Sequence, residues 1–322
     1  MMWPDDSTPQ QPAENVLVIG GANMDIVGTA CSALAMGDSN LGNIHCAPGG
    51  VARNIAENLA RLGHITHLLS AMGDDAFGRS LLDATRAAGV HTGACAVLPH
   101  YNTSTYLSLH GVQGNLVVAM NDMAIVRSIT PQVLAAHAQL LQAANAVALD
   151  CNLNADTLAW LLERATGKVF VDAVSVAKCE RIRPCLAGIH TLKVNQAEAH
   201  ALCGLPCHAP ADMLAAATWL HTQGVRQVLI SLGARGMLYS DAYGGHGWQD
   251  ALACDVVNVN GAGDALLAGW IHATLAGLSL AQAARFAQAC AAFTTRCAMA
   301  NHPDLSVVAV TQFLNVTAIT TP

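Results

Sequence analysis

Charge is scarce in this chain. Asp, Glu, Lys and Arg make up 11% of its 322 residues, and the lysines number three: Lys168, Lys178 and Lys193. The 22 acids and 15 bases leave a formal charge of -7 with no basic block. That excludes a polymeric nucleic-acid partner, which needs a basic face or stripe. No C-x-x-C occurs among the eleven cysteines, and their spacings are irregular. The expectation is reduced structural thiols in a cytoplasmic protein, not a disulfide framework. Cys203, Cys207, His200 and His208 are residue types that bind zinc, but Gly204, Leu205 and Pro206 between them spell a turn. The longest nearly apolar run, 266–281, is broken by His272, Thr274 and Ser279 and is too short for a bilayer, so no membrane partner is expected. The start, 1–14, is acidic and Pro-rich without a basic and then apolar leader, and reads as a disordered tail. A dinucleotide fingerprint is also missing: Gly20-Gly21-Ala22-Asn23-Met24-Asp25 is not G-x-G-x-x-G and no helix pattern follows it.

What is present is a large core. Hydrophobic residues make up 53% of the chain, and the reading is one α/β domain over 15–322. Asn15–Gly20 is a short apolar run that predicts a fully buried strand. Pro48-Gly49-Gly50 predicts a joint, followed by a helix over 51–62 with Val51, Ile55, Leu59 and Leu62 on one face. A strand is expected over 67–71, a loop over 73–78 and a helix over 80–88. From 130 onwards the pattern alternates: helix 131–144, strand 146–150, helix 154–165, strand 169–172, strand 192–194, helix 195–202, helix 211–223, strand 227–231. A strand over 255–258 and helices over 264–276, 280–297 and 306–315 close the chain. Such alternation predicts a mostly parallel sheet covered by helices on both faces. Residues 26–47 and 94–120 break it with short strands and turns, and read as a small β-sheet lid.

In open sheets of this kind the site lies at the C-terminal strand ends. Asn23, Asp25, Asp150, Asn152, Asn195, Gly233 and Asp264 all fall there on this reading. The sharpest stretch is Val259-Asn260-Gly261-Ala262-Gly263-Asp264. Glycine amides at a helix start favour an anion, and a carboxylate beside them suits a proton acceptor. Phosphoryl transfer explains both, with Asp264 as base for the attacking hydroxyl; an acid favoured by the helix dipole explains Asp264 alone. Asn195 and Glu198 suit a hydrated Mg²⁺, but on their own a capping box explains them better. Ser231-Leu232-Gly233-Ala234-Arg235-Gly236 offers amides to nucleotide phosphates or forms a hairpin turn.

Together these residues resemble the PfkB (ribokinase-like) family of carbohydrate and nucleoside kinases. One motif is Gly49-Gly50-Val51-Ala52-Arg53-Asn54-Ile55-Ala56, continuing to Gly73-Asp74-Asp75-Ala76-Phe77-Gly78. The others are Val259–Asp264 and the N-x-x-E of Asn195 and Glu198. The resemblance spans Val16 to about Leu314. Within the family, Gly21–Asp25, Asp38–Asn40, Asn102–Leu109, Asn121–Met123, Asp150–Asn152 and Asn301–Ser306 narrow it to a bacterial nucleoside kinase. The resemblance implies a ribokinase-like fold and ATP-dependent phosphorylation of a nucleoside 5′-hydroxyl, with Asp264 as base and Gly261, Ala262 and Gly263 as anion hole. It implies that Asn23, Asp25, Gly49, Gly50, Asn54 and Asp150 bind the substrate and that Asn102, Thr103, Ser104 and Asn121 read the base. It implies ATP at Asn195, Ser231, Gly233 and Gly236, adenine against 286–297, and Mg²⁺ at Asn195 and Glu198. Asn258 and Asn260 depart from the family's Asp and Thr, which leaves potassium activation open. Exposed lid edges predict a homodimer. The alternatives are a family kinase for another nucleoside or a sugar such as ribose, and an inactive nucleoside- or sugar-binding protein. The absence of Lys and Arg from 94–126 argues against a hexose phosphate.

Overall fold

The computed structural model describes residues 14–319, with side chains to 316; the expected tail, Glu14 apart, lies outside them. The chain opens with β1 (Asn15–Ile19), β2 (Asn23–Ala30), β3 (Gly42–Gly49), α1 (Val51–Arg61), β4 (Ile65–Leu69), β5 (Ala71–Gly73) and α2 (Ala76–Ala87). It continues through β6 (Ala96–Leu98), β7 (Thr105–His110), β8 (Leu116–Asp122), α3 (Pro131–Ala135), α4 (Ala138–Ala143), β9 (Ala146–Asp150), α5 (Ala155–Arg164), β10 (Lys168–Asp172) and α6 (Val176–Cys179). It ends with β11 (Thr191–Asn195), α7 (Gln196–Cys203), α8 (Pro210–Thr222), β12 (Gln227–Ser231), β13 (Met237–Asp241), β14 (His246–Gln249), α9 (Ala262–Leu275), α10 (Leu280–Thr294) and α11 (Val307–Ile319).

The main sheet has eight strands in the order β14-β13-β12-β11-β10-β9-β1-β4, parallel from β12 to β4 and antiparallel at the β12–β13–β14 edge. Its apolar runs are explained by burial on both faces. Along β1, Val16 and Val18 join a core with Ile55, Leu59, Trp270 and Phe286, under α1, α9 and α10. Leu17 and Ile19 point the other way, into a core with Leu149, Leu158 and Leu220. Each face buries a full layer, so the sheet is fixed against slippage by one residue, which would exchange the two sets.

The strands expected to form a lid make a separate four-stranded sheet, β3-β2-β7-β8. Ala94–Leu98 does not join it. β6 pairs with β5 in a two-stranded sheet, and Ala96 N–H donates to the Ser70 carbonyl. The expected strand over 67–71 therefore splits at Ser70 into β4 and β5. The expected strand over Asp255–Asn258 is also corrected: the segment is irregular. The amides of Val257 and Asn258 both donate to the Thr295 carbonyl at the end of α10, where no strand is available to pair. α2 begins four residues earlier than expected because Asp75 caps it, accepting from Gly78 N–H at 2.7 Å. The single helix expected over 131–144 is two, broken at Ala136 and His137, whose amides bond back to Val133 and Leu134 in tight turns. β14 and the 3₁₀ segments at Ala124–Ser128 and Glu180–Gly188 were not expected from the pattern.

Candidate active site

Three elements meet at Asp264. α9 carries it in its first turn, 8% exposed. α1 supplies Asn54, whose side-chain amide donates to Asp264 Oδ2 at 2.8 Å. β11 supplies Lys193, ion-paired to Asp172 at the end of β10 with Nζ and Oδ2 2.9 Å apart. Burial raises the Asp264 carboxyl to about 8, and the neighbouring Asp172 adds to the effect; Lys193 and the Asn54 hydrogen bond pull the other way. A carboxylate poised near neutrality suits a general base.

The helix start is shaped for close approach. Gly261 is left-handed (φ 77°), and a side chain there would collide with the Ala300 carbonyl. A methyl group on Gly263 would lie 2.7 Å from Lys193 Nζ. Ala262 N–H turns back to the Val259 carbonyl, whereas a helix leaves the next two amides, of Gly263 and Asp264, without intrahelical acceptors. Asn258 ties this turn to the 296–301 segment: its carboxamide accepts from Asn260 N–H and donates to the Ala298 carbonyl, at 3.0 and 2.8 Å.

α1 is held in turn by a buried polar network that the sequence reading missed. Arg53 pairs with Glu57 and donates to Asn301 Oδ1 at 2.8 Å, while Asn301 Nδ2 donates to the Asn54 carbonyl at 2.9 Å. The buried Arg, Glu and Asn satisfy one another and set the position from which Asn54 reaches Asp264. The signal was available in Arg53 beside Asn54 and in Asn301, but only the fold shows that they meet.

The two faces of this small sheet follow from strand alternation. Asp25, Ala47, Tyr106 and Asn121 stand in register across the four strands and share a face. Asn23 Nδ2 donates to Asp25 Oδ1 at 2.5 Å, and burial holds the Asp25 carboxyl above its ordinary value. Gly49 sits opposite Asn23 across β2 and β3, and Gly50 caps α1. Tyr106 was not among the candidate residues, although its register with Asp25 places it beside them. Ser104 is buried with no partner for its hydroxyl among the described residues. Asn102 is exposed.

Several other candidates are engaged within the fold. Thr103 does not face the lid: its hydroxyl donates to Asp75 at 2.7 Å and accepts from Gly73 N–H, which anchors the start of α2. Asp150 is fully buried and accepts from the amides of Gly21, Ala52 and Asn152 at 2.8–3.0 Å, so it positions the Gly20–Gly21 turn and α1. Asn195 and Glu198 form the capping box of α7, with both Glu198 oxygens accepting from Asn195 at 2.8 Å. Gly236 closes the β12–β13 hairpin, while Gly233 faces open space and Ser231 ends β12. Within 286–297, the α10 residues Phe286 to Thr294 are buried. All eleven cysteines are free thiols, and no cluster of three or more His, Cys, Asp or Glu among the described residues is arranged to hold a metal.

The model of the pfkB family of carbohydrate kinases matches residues 13–306. The chain belongs to the PfkB family. This PfkB kinase is 43% identical to the pseudouridine kinase of Escherichia coli K12, over 92% of this chain and 95% of that protein. It is 41% identical to an uncharacterized sugar kinase of the same organism, over 91% of this chain and 81% of that protein. Among solved structures, a carbohydrate kinase from Agrobacterium tumefaciens superposes with a TM-score of 0.82 at 29% identity, covering 94% and 97% of the two chains. Arabidopsis thaliana ribokinase, solved with ribose and ATP, gives 0.84 at 22% identity over 94% and 99%, a likeness of fold. The fold is ribokinase-like and the protein is a phosphotransferase of this family. Among the described residues no helix is long and apolar enough to cross a membrane.

Proposed function

We propose that this PfkB kinase transfers the γ-phosphoryl group of ATP to the 5′-hydroxyl of pseudouridine. The observation that carries the chemistry is Asp264: a base raised to about 8, held by Asn54 at a helix start whose glycines leave backbone amides open to an anion. Similarity to pseudouridine kinase supports the substrate. Asp25, with Asn23, binds the ribose, and Asp264 takes the 5′-hydroxyl proton. Tyr106, Asn121 and Ser104 meet the base from the lid side. Ser231 and Gly233, at the end of β12, offer the nucleotide phosphates a hydroxyl and an uncrowded backbone.

Mg²⁺ arrives with the nucleotide and neutralises its phosphate charge. Both Glu198 oxygens are engaged, and burial holds its carboxyl above the ordinary value, so Asn195 and Glu198 fit a hydrated ion held through water, not a direct ligand pair. The Asn258–Ala298 bond supports an anion hole that is set without a monovalent cation. The lid's outer face supports a homodimer.

A panel of pseudouridine, uridine, cytidine, adenosine and ribose with Mg·ATP, run in sodium and in potassium buffers, tests this. Pseudouridine should have the highest kcat/KM, and the two buffers should give equal rates. Preference for another acceptor would replace the substrate and leave the kinase; the similarity to the uncharacterized sugar kinase makes ribose or another nucleoside the second reading.

A further inference from the structure

We infer that Lys193 is a catalytic residue, the cation that completes the anion hole, and that Asp172 is its positioning residue; this rests on the reading of Asp264 as the base. Lysine is rare in this chain, and Lys193 is the one ion-paired to a buried carboxylate: its side chain is 12% exposed and that of its partner Asp172 is 1% exposed. A buried ammonium costs several kcal/mol unless paired, and a pair buried only for stability gains little over apolar residues. Its position is functional in shape. Nζ stands so close to Gly263 that no larger residue fits there without displacing it. The ammonium therefore borders the same space as the open amides at the start of α9.

Asp172 is over-determined. Its Oδ2 holds Lys193 and its Oδ1 accepts from Val174 N–H at 2.8 Å. Val174 is the only non-glycine among the described residues with a positive φ, at 66°. A β-branched residue in that conformation is strained, and strain of this kind persists where surrounding structure enforces it, often at functional sites. Ala173 N–H donates to the Lys193 carbonyl, closing the turn against β11. Charged groups converge here from every side: Asp172 from β10, Asp150 from β9, Glu198 from α7 and Asp264 from α9. Burial lowers the affinity of Lys193 for its proton, but Asp172 and Asp264 more than restore it, so it remains an ammonium.

In the transfer, the substrate hydroxyl oxygen forms a bond to the γ-phosphorus and gives its proton to Asp264. The bond from that phosphorus to the bridging oxygen breaks, and its electron pair leaves with ADP. Lys193 keeps its proton and donates a hydrogen bond to a non-bridging oxygen of the moving phosphoryl group, where negative charge is concentrated.

The test is Lys193→Met, assayed across pH with ATP and whichever acceptor the wild type turns over best. That choice separates failure of this inference from failure of the substrate assignment. kcat should fall by about 10²-fold or more, with acceptor KM within about threefold, and the acid limb of kcat/KM should move to higher pH because Asp264 loses a favourable charge. Asp172→Asn is the second variant, informative even where Lys193→Met fails to fold. It should lower kcat while moving the acid limb to lower pH, since a like charge beside Asp264 is gone. Turnover within threefold of wild type in either variant, or a loss with the acid limb unmoved, would overturn the inference.

Discussion

At the scale of single residues, Asp264 sets two opposing consequences. Catalysis needs its carboxylate, and the folded protein holds that group protonated up to about 8 against 3.8 for an ordinary Asp. kcat/KM should therefore fall about tenfold per pH unit below that value, reporting the free enzyme's base. Stability runs the other way. Between the two values the folded state binds a proton that the unfolded state has released, so stability declines as pH rises through that window. Asp264→Asn should cost at least about 10²-fold in turnover. At pH 8 it should raise Tm by about 1–2 °C, roughly the effect of 1 kcal/mol on a chain of this length. Full turnover in that variant would show that another group takes the proton.

At the scale of elements, α9 is fastened to the α1 region at both ends. Asn54 meets Asp264 at its start, and two turns on His272 Nδ1 lies 2.9 Å from His64 Nε2 in the loop after α1. Burial lowers both imidazoles from 6.5 to about 4, and His64 also lowers His272. The sign is opposite to that of Asp264: the unfolded chain takes up protons near 6.5 that the folded one refuses, so stability is full above 6.5 and drains as pH falls toward 4. In the double variant His64→Leu/His272→Leu, thermal melts between pH 7 and 5 should show a clearly smaller drop in Tm than wild type; an equal drop would assign acid sensitivity elsewhere. The same elements show what a sequence discloses. Helix 51–62 was legible because Val51, Ile55, Leu59 and Leu62 repeat at helical spacing, and strands β1, β9 and β12 because they are short apolar runs. The stretch Asp255–Asn258 carried similar residues but found no partner, and strand identity belongs to the pair, not the segment. Asn195 and Glu198 show the converse limit. Their spacing suits both a cap and an ion site, and the hydrogen bonds give the cap.

For the whole molecule, position in the chain hid the most. Asp264, Asn54, Lys193 and Asp172 come from four elements, and their meeting is a property of sheet order, which periodicity does not encode. The small four-stranded sheet was legible as a β-rich interruption, but its two faces required the register. On the face opposite Asp25 stand Ile26, Ile44, Cys46, Leu107, Leu109, Val118 and Met120. Ile44 and Met120 are 77% and 71% exposed. Seven neighbouring non-polar side chains on one face of a sheet constitute the kind of patch that marks an interface, and a two-fold dimer would set it against the same patch of a second copy. Light scattering at micromolar concentration should therefore give twice the chain mass of 33.4 kDa. Leu109 and Val118 face each other across β7 and β8, so Leu109→Lys/Val118→Lys places two like charges at the centre of that contact and should halve the measured mass. Because both side chains point away from Asp25, Tyr106 and Asn121, the variant should keep its fold by circular dichroism. A wild type that elutes as a single chain, or a double variant that stays a dimer, would move the interface off the lid.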